Sequence, residues 1–345
     1  MMESFFSKKG VPDMRGNFFS FSLKFIIALA ALAVSLAAAM LFGAAHVSPS
    51  DVWGAISGDT GKNSLLLREL RFPRELAALF VGSALAVSGA IMQGMTRNPL
   101  ADPGLLGLTA GANAALAIAL AVIPDITTAG IMIACFLGAA AGAGIVFGIA
   151  ASKRGGFSPF RLVLAGAAVS AFFFAAAQGI GLLFNVSKDV SMWTAGGVIG
   201  TTWPQLRIIG IVVVIGIAAS LCLARQLTLL SLSDEVAVGL GQNTLRIKSA
   251  LFVLIIVLAG SAVALAGNLA FVGLMIPHIT RAVVGTDYRF VLPMSAAAGG
   301  AFMLLADTVS RTMNAPYETP LAALVAVIGL PFFLIIVRRG GRAFT

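Results

Sequence analysis

Ala129-Gly-Ile-Met-Ile-Ala-Cys-Phe-Leu-Gly-Ala-Ala-Ala-Gly-Ala-Gly-Ile-Val-Phe-Gly-Ile-Ala-Ala151 runs without a single charged side chain. A helix needs roughly 20 such residues to cross the hydrocarbon core of a bilayer. Polar and apolar residues do not alternate here, so the run is not a barrel strand. Its mixture of Ala, Gly and Ile suits a membrane helix that packs closely against others. The rest of the 345-residue chain repeats this character: 59% of residues are hydrophobic, 11% are charged, and mean hydropathy is +0.99. Those values exclude an ordinary soluble domain and predict an all-α polytopic membrane protein. Further apolar runs at 21–44, 74–93, 105–123, 161–184, 206–224, 245–265, 271–284, 291–310 and 319–337 bring the expected spans to about ten.

Two regions depart from a plain span. The run at 271–284 is short and follows a Gly- and Ala-rich stretch containing Asn268, which predicts a broken or partly re-entrant helix. The segment 185–203, with Trp193, Gly196, Gly197 and Trp203, reads as a short interfacial helix. Near the amino terminus, Lys8, Lys9 and Arg15 precede an apolar stretch that is too long for the core of a cleavable signal peptide, so a retained first span is expected. Cys135 and Cys222 both sit in apolar runs and read as small core residues, not as a disulfide or metal pair. Small residues four apart, Gly82 with Ala86, Gly138 with Gly142 and Gly144 with Gly148, predict close packing within the bundle.

The net charge of +9 would suggest nucleic acid in a soluble chain. Here the placement of the basic residues matters more. With the amino terminus cytoplasmic, 16 of the 23 fall at the inner face, which satisfies the positive-inside rule and puts both termini inside. The division expected is a tail over 1–20, one membrane domain over 21–337 and a tail over 338–345. Arg68, Arg71 and Arg74 are the anomaly, crowding one outer segment where topology disfavours them.

Active transport needs an energy source, yet no phosphate-binding loop of the form G-x-x-x-x-G-K-[ST] is present. The string from Gly58 to Asn63 lacks both the spacing and the hydroxyl that would hold magnesium. His46 and His278 stand apart with no neighbouring ligand, so no metal site is expected. Buried carboxylates, the mark of a proton-coupled carrier, are nearly missing. Asp307 is the best candidate, and Arg311 at i+4 offers it a local ion pair. A proton-coupled carrier built on Asp307 and Glu318, or a non-transporting scaffold, are the readings from other classes.

Three strings stand out against this apolar background. The first runs from Arg71-Phe-Pro-Arg74 through Gln93-Gly-Met-Thr-Arg97-Asn98-Pro99-Leu-Ala-Asp102-Pro103-Gly. The second is Leu232-Ser-Asp234-Glu235-Val-Ala237-Val-Gly239-Leu240-Gly241, an acidic first turn closed by glycines, which predicts a short capped helix at the inner face. The third is Phe271-Val-Gly-Leu-Met-Ile-Pro277-His278-Ile-Thr-Arg281. With Ala306-Asp307, Arg311, Glu318, Pro320 and Gly329-Leu-Pro-Phe-Phe333 they resemble, in order and from Arg71 to the carboxyl terminus, the permease subunits of binding-protein-dependent type II ABC importers for ferric siderophores, haem and cobalamin.

That resemblance implies a bundle like that of the cobalamin-importer permease, in a bacterial cytoplasmic membrane. It implies partners: a second permease subunit, two cytoplasmic ABC ATPases that bind ATP and Mg, an extracytoplasmic substrate-binding protein and membrane lipid, with no cofactor in this chain and no nucleic acid. Ferric siderophore is the implied cargo, haem or cobalamin the alternatives. Residue by residue, it implies that Arg71, Arg74 and Arg311 dock carboxylates of the binding protein, a task suited to a planar guanidinium fork. Snorkelling, or local pairing such as Arg71 with Glu75, is the competing role. The coupling helices that meet the ATPase are implied over about 231–243, at Asp234, Glu235, Ala237, Gly239, Leu240 and Gly241. Arg97, Asn98, Pro99, Pro277, His278 and Arg281 are implied as gate or anchoring residues at the inner face. Two departures stand out: Glu75 follows the second docking arginine, and Glu318-Thr-Pro320 replaces the family's usual Glu-Leu-Pro.

Overall fold

A computed structural model describes residues 14–43, 47–59, 61–151, 159–315 and 317–338. The expected tails and several basic residues placed at the inner face, among them Lys8, Lys9, Lys153 and Arg154, lie outside these, as does His46. Among the described residues the elements are α1 (Met14–Leu41), α2 (Pro49–Ser57), α3 (Lys62–Leu66), α4 (Phe72–Thr96), α5 (Leu108–Val122), α6 (Thr128–Ala151), α7 (Pro159–Leu183), α8 (Ser187–Thr194), α9 (Trp203–Cys222), α10 (Ala224–Leu232), α11 (Asp234–Gly239), α12 (Thr244–Ala266), α13 (Val272–Val284), α14 (Tyr288–Thr312) and α15 (Leu321–Arg338). Among the described residues eight helices are long and apolar enough to cross a membrane, and α5 and α13 are shorter apolar helices. Together they account for the ten runs read from the sequence.

The core forms around α4. Nearly every residue of α4 from Ala77 to Thr96 is buried, and α14, α12 and α13 pack along it. Small residues set the approach: a Cβ added to Gly82 would strike the Gly299 carbonyl oxygen of α14, and one added to Gly89 would strike the Gly273 backbone of α13. Gly111 and Gly138 bring α5 and α6 together in the same way. Gly144 and Gly148, by contrast, have no heavy atom near an added Cβ. Outward faces carry bare apolar side chains such as Phe172, Leu182 and Val214. In water that surface would drive aggregation, whereas in lipid it is the solvated face. Cys135 is buried as expected, but Cys222 is exposed at the end of α9 and so is not a core residue.

The short eighth span is indeed interrupted. Residues 267–270 are non-helical, and Phe271 enters α13 with φ +69, a conformation that strains a bulky side chain. Pro277 inside α13 has no N–H to give the Gly273 carbonyl four residues earlier. The Gln93 amide of α4 supplies the missing donor, with Nε2 3.2 Å from the carbonyl oxygens of Gly273 and Leu274. Thus two of the conspicuous strings meet at a single repaired hydrogen bond. The segment 185–203 holds the short helix α8, as read, followed by non-helical residues with Gly196, Gly197 and Gly200 at positive φ.

Candidate functional site

Ion pairs gather at two places: those of Asp307, Glu318 and Glu75 lie about Arg74 and Arg311, and those of Asp234 lie about Arg97. The Arg74 end is built where α3 runs through one π-helical turn, Leu67–Arg71, into α4. Arg71, Arg74 and Glu75 leave this junction toward α14 and the carboxyl end of α1. The Arg74 guanidinium takes Asp307 in a fork, Nε to Oδ2 at 3.0 Å and Nη2 to Oδ1 at 2.9 Å, and its Nη1 reaches Glu318 Oε1 at 2.8 Å. Arg311 holds Asp307 Oδ2 at 3.0 Å and Glu75 Oε1 at 2.5 Å. Its Nη2 and Arg71 Nη1 also donate to the carbonyls of Ala39 and Met40, at 3.3 and 2.6 Å. Those carbonyls close α1, where cations are favoured by the helix dipole.

Three guanidinium groups therefore meet three carboxylates. Glu75 and Asp307 are fully buried, and Arg71 and Arg311 are nearly so. Pairing at i+4 between Asp307 and Arg311 is as the sequence reads. Glu75, however, bonds Arg311 across 236 residues of chain, a partnership that spacing alone does not reveal. Arg74 with Glu318 forms the accessible corner, Glu318 keeping 32% of its side chain exposed.

The opposite end assembles the second string. Ser233 caps α11 by accepting the Val236 N–H at 3.0 Å, and bonding to its own backbone N–H and the Ser233 hydroxyl holds the Glu235 carboxyl below its ordinary range. α10 and α11, which pack against each other, together overlap the stretch 231–243. Ala237 is buried, while Leu232, Val236, Val238 and Leu240 face outward as an exposed apolar strip. Gly241 sits at φ +79 and turns the chain toward α12. Asp234 is tied on both sides: to Lys248 Nζ of α12 at 2.8 Å and to Arg97 Nη2, which caps α4, at 3.7 Å. Lys248 counts among the inner-face basic residues in the sequence, but its pairing with Asp234 across 14 residues is not visible there.

Asn98 Oδ1 accepts the Leu100 N–H at 3.0 Å and Asp102 Oδ1 accepts that of Gly104 at 2.7 Å, so this loop is a pair of side-chain-closed turns around Pro99 and Pro103. His278 is buried edge-on against Phe332, and Arg281 lies in the last turn of α13. Two cavities open in the bundle. One of about 520 Å³ is bordered by Asn98, Asp102, Thr109, Phe271 and Phe333; the other, of about 580 Å³, by Asn113, Gln178, Ser191 and Thr194. Phe174 lines both. Neither is bordered by a lysine or arginine, and no group of metal-ligating side chains occurs among the described residues.

Comparison with known proteins agrees with this architecture. The sequence profile of the FecCD transport family matches residues 31–339. The chain is 45% identical over 302 residues to the iron(3+)-hydroxamate import system permease protein FhuB of Bacillus subtilis, covering 87% of this chain and 79% of that one. It is 38% identical to the hemin transport system permease protein HmuU of Yersinia pestis, over 86% of this chain and 90% of that one. Among solved structures, a metal-chelate type ABC transporter in an inward-facing conformation superposes with a TM-score of 0.77 at 28% identity, covering 91% of this chain and 99% of its own.

Proposed function

The chain belongs to the FecCD transport family, and from that premise we propose that it is the membrane-spanning permease of an ATP-driven importer of ferric siderophores. The observation that carries this reading is the gathering of ion pairs about Arg74 and about Arg97, with cavities in the bundle that no lysine or arginine borders. A proton-coupled carrier needs a titratable group on the path, whereas the only carboxylate bordering these cavities is Asp102, in a loop beyond the spans. Energy then has to enter from a partner. The exposed strip Val236, Val238 and Leu240, mounted on the tethered helix α11, is the surface we assign to a cytoplasmic ATPase, which binds the ATP and Mg. ATP turnover drives transport if its nucleotide states favour different conformations of the permease pair.

The Arg74 end then faces outward and receives a substrate-binding protein, and both termini are cytoplasmic. Arg71, Arg74 and Arg311 keep their docking role in this proposal, but Arg74 is the arginine within reach of a partner. Reversing Arg71 and Arg74 together would crowd carboxylates beside buried Glu75 and Asp307, so it would test folding rather than docking. Arg74→Gln is the cleaner probe.

The experiment is recovery of the tagged chain from crosslinked native membranes, followed by reconstitution of the recovered complex in vesicles and uptake of radioiron chelates, haemin and cobalamin. ATP-dependent accumulation of a ferric siderophore supports the proposal. Uptake that needs no ATP and collapses with the proton gradient would replace it with the carrier.

A further inference from the structure

Arg74 is shared by two carboxylates of unlike standing. Asp307 is fully buried, grips Arg74 in a fork and holds Arg311 as well, so it cannot leave without stripping two guanidinium groups. Glu318 lies on the non-helical segment between α14 and α15, and its side chain is partly exposed. It reaches Arg74 through one bond, at 2.8 Å. Tyr317, its neighbour in the chain, is 74% exposed. Any carboxylate arriving from outside meets Arg74 Nη1 already occupied.

We propose that Glu318 is an internal stand-in for a partner's carboxylate: an acidic residue of the docking protein displaces Glu318 from Arg74. This rests on the reading of the chain as a binding-protein-dependent permease. The physical case is that burying a bare arginine against a docked surface is costly, and an arginine already paired avoids most of that cost. Exchanging one carboxylate for another leaves the number of ion pairs unchanged, so docking gains little energy from charge and stays reversible. The displaced residue stands three positions before α15. Gly329 of that helix lies against the Phe271 side chain, which borders the cavity shared with Phe174. Glu318 therefore sits on the segment that leads into a helix of the cavity wall, a segment that the Thr319 N–H also ties to the Ser310 carbonyl at 3.0 Å.

The test uses the whole importer in nanodiscs and the loaded binding protein recovered with it from crosslinked membranes. Equilibrium affinity is measured for the native chain, Glu318→Gln, Arg74→Gln and the double variant. Removing the competitor is expected to tighten docking by about fivefold, the factor that roughly 1 kcal/mol from a partly exposed pair provides. In the Arg74→Gln background the same change is expected to do nothing, which a general surface-charge effect would not reproduce. Unchanged or weaker docking by Glu318→Gln, with Arg74→Gln still weakening it, would overturn the exchange and leave the permease reading standing. Native affinity in Arg74→Gln would overturn both the exchange and the docking role of Arg74.

Discussion

Arg311 stands between Glu75 at 2.5 Å and Asp307 at 3.0 Å, and all three side chains are shielded from solvent. A buried ion pair is weak evidence for net stability, but removing one partner leaves the other charged and unsolvated. Arg311→Ala is therefore expected to cost roughly 3–5 kcal/mol, with Glu75→Gln in the same chain recovering a good part of it. Thermal unfolding of the detergent-purified variants reads this; equal losses with and without Glu75→Gln would contradict it. Asp102 offers a pH dependence of opposite origin. Burial raises its carboxyl to about 6, against the bond from the Gly104 N–H that lowers it. A carboxyl raised on folding contributes stability that is present below its ordinary range and lost as pH climbs through 6. Asp102→Asn, which keeps an acceptor for Gly104, should raise the thermal midpoint at pH 8 and change it little at pH 4. At this scale the sequence displays local partners and hides distant ones. Asp307 with Arg311 is visible at i+4, whereas Glu75 with Arg311, or Gln93 with the carbonyl that Pro277 leaves bare, requires the fold.

Helices were legible in proportion to how continuously apolar they are. The ten membrane runs announce themselves because the bilayer demands length, and their positions follow. By contrast α2, α3, the π-helical turn and α10 carry mixed residues and short apolar stripes, so the helix entering α4 begins at Asn63 rather than near Arg74. Small-residue spacing was informative without being sufficient. Gly82, Gly138 and Gly142 each lie against another helix, but Gly144 and Gly148 do not, since spacing marks a smooth face without saying what covers it. A paired substitution separates the two cases. Gly89→Ala must push α4 from the Gly273 backbone of α13 and is expected to cost about 1–3 kcal/mol, as overpacking does. Gly144→Ala meets nothing and should be neutral or slightly stabilising through helix propensity. Equal thermal midpoints for the two variants would show that the close approach is not rigid.

Taken whole, the molecule has one continuous connection between its charged ends. α4 carries Arg74 and Glu75 near its start and is capped by Arg97, in a left-handed conformation, at its finish. Packed on most sides by α14, α12, α13 and α9, it has little freedom to bend, so displacement at one end must be carried toward the other. Asp234 is the joint that admits α11 to this connection, through Arg97 of α4 on one side and Lys248 of α12 on the other. Asp234→Asn keeps an acceptor and the helix start but removes the charge that binds both cations. In the assembled importer it is expected to lower uptake per ATP hydrolysed by about fivefold while ATPase turnover and assembly persist, the size set by partly exposed ion pairs. Gly144→Ala on α6, outside this joint and with nothing near an added Cβ, should leave the ratio unchanged. Parallel measurement of phosphate release and radioiron uptake in the same vesicles decides the matter. A native ratio in Asp234→Asn would mean that force passes through the apolar seat of α11 at Ala237, and that the charges serve only to hold the fold.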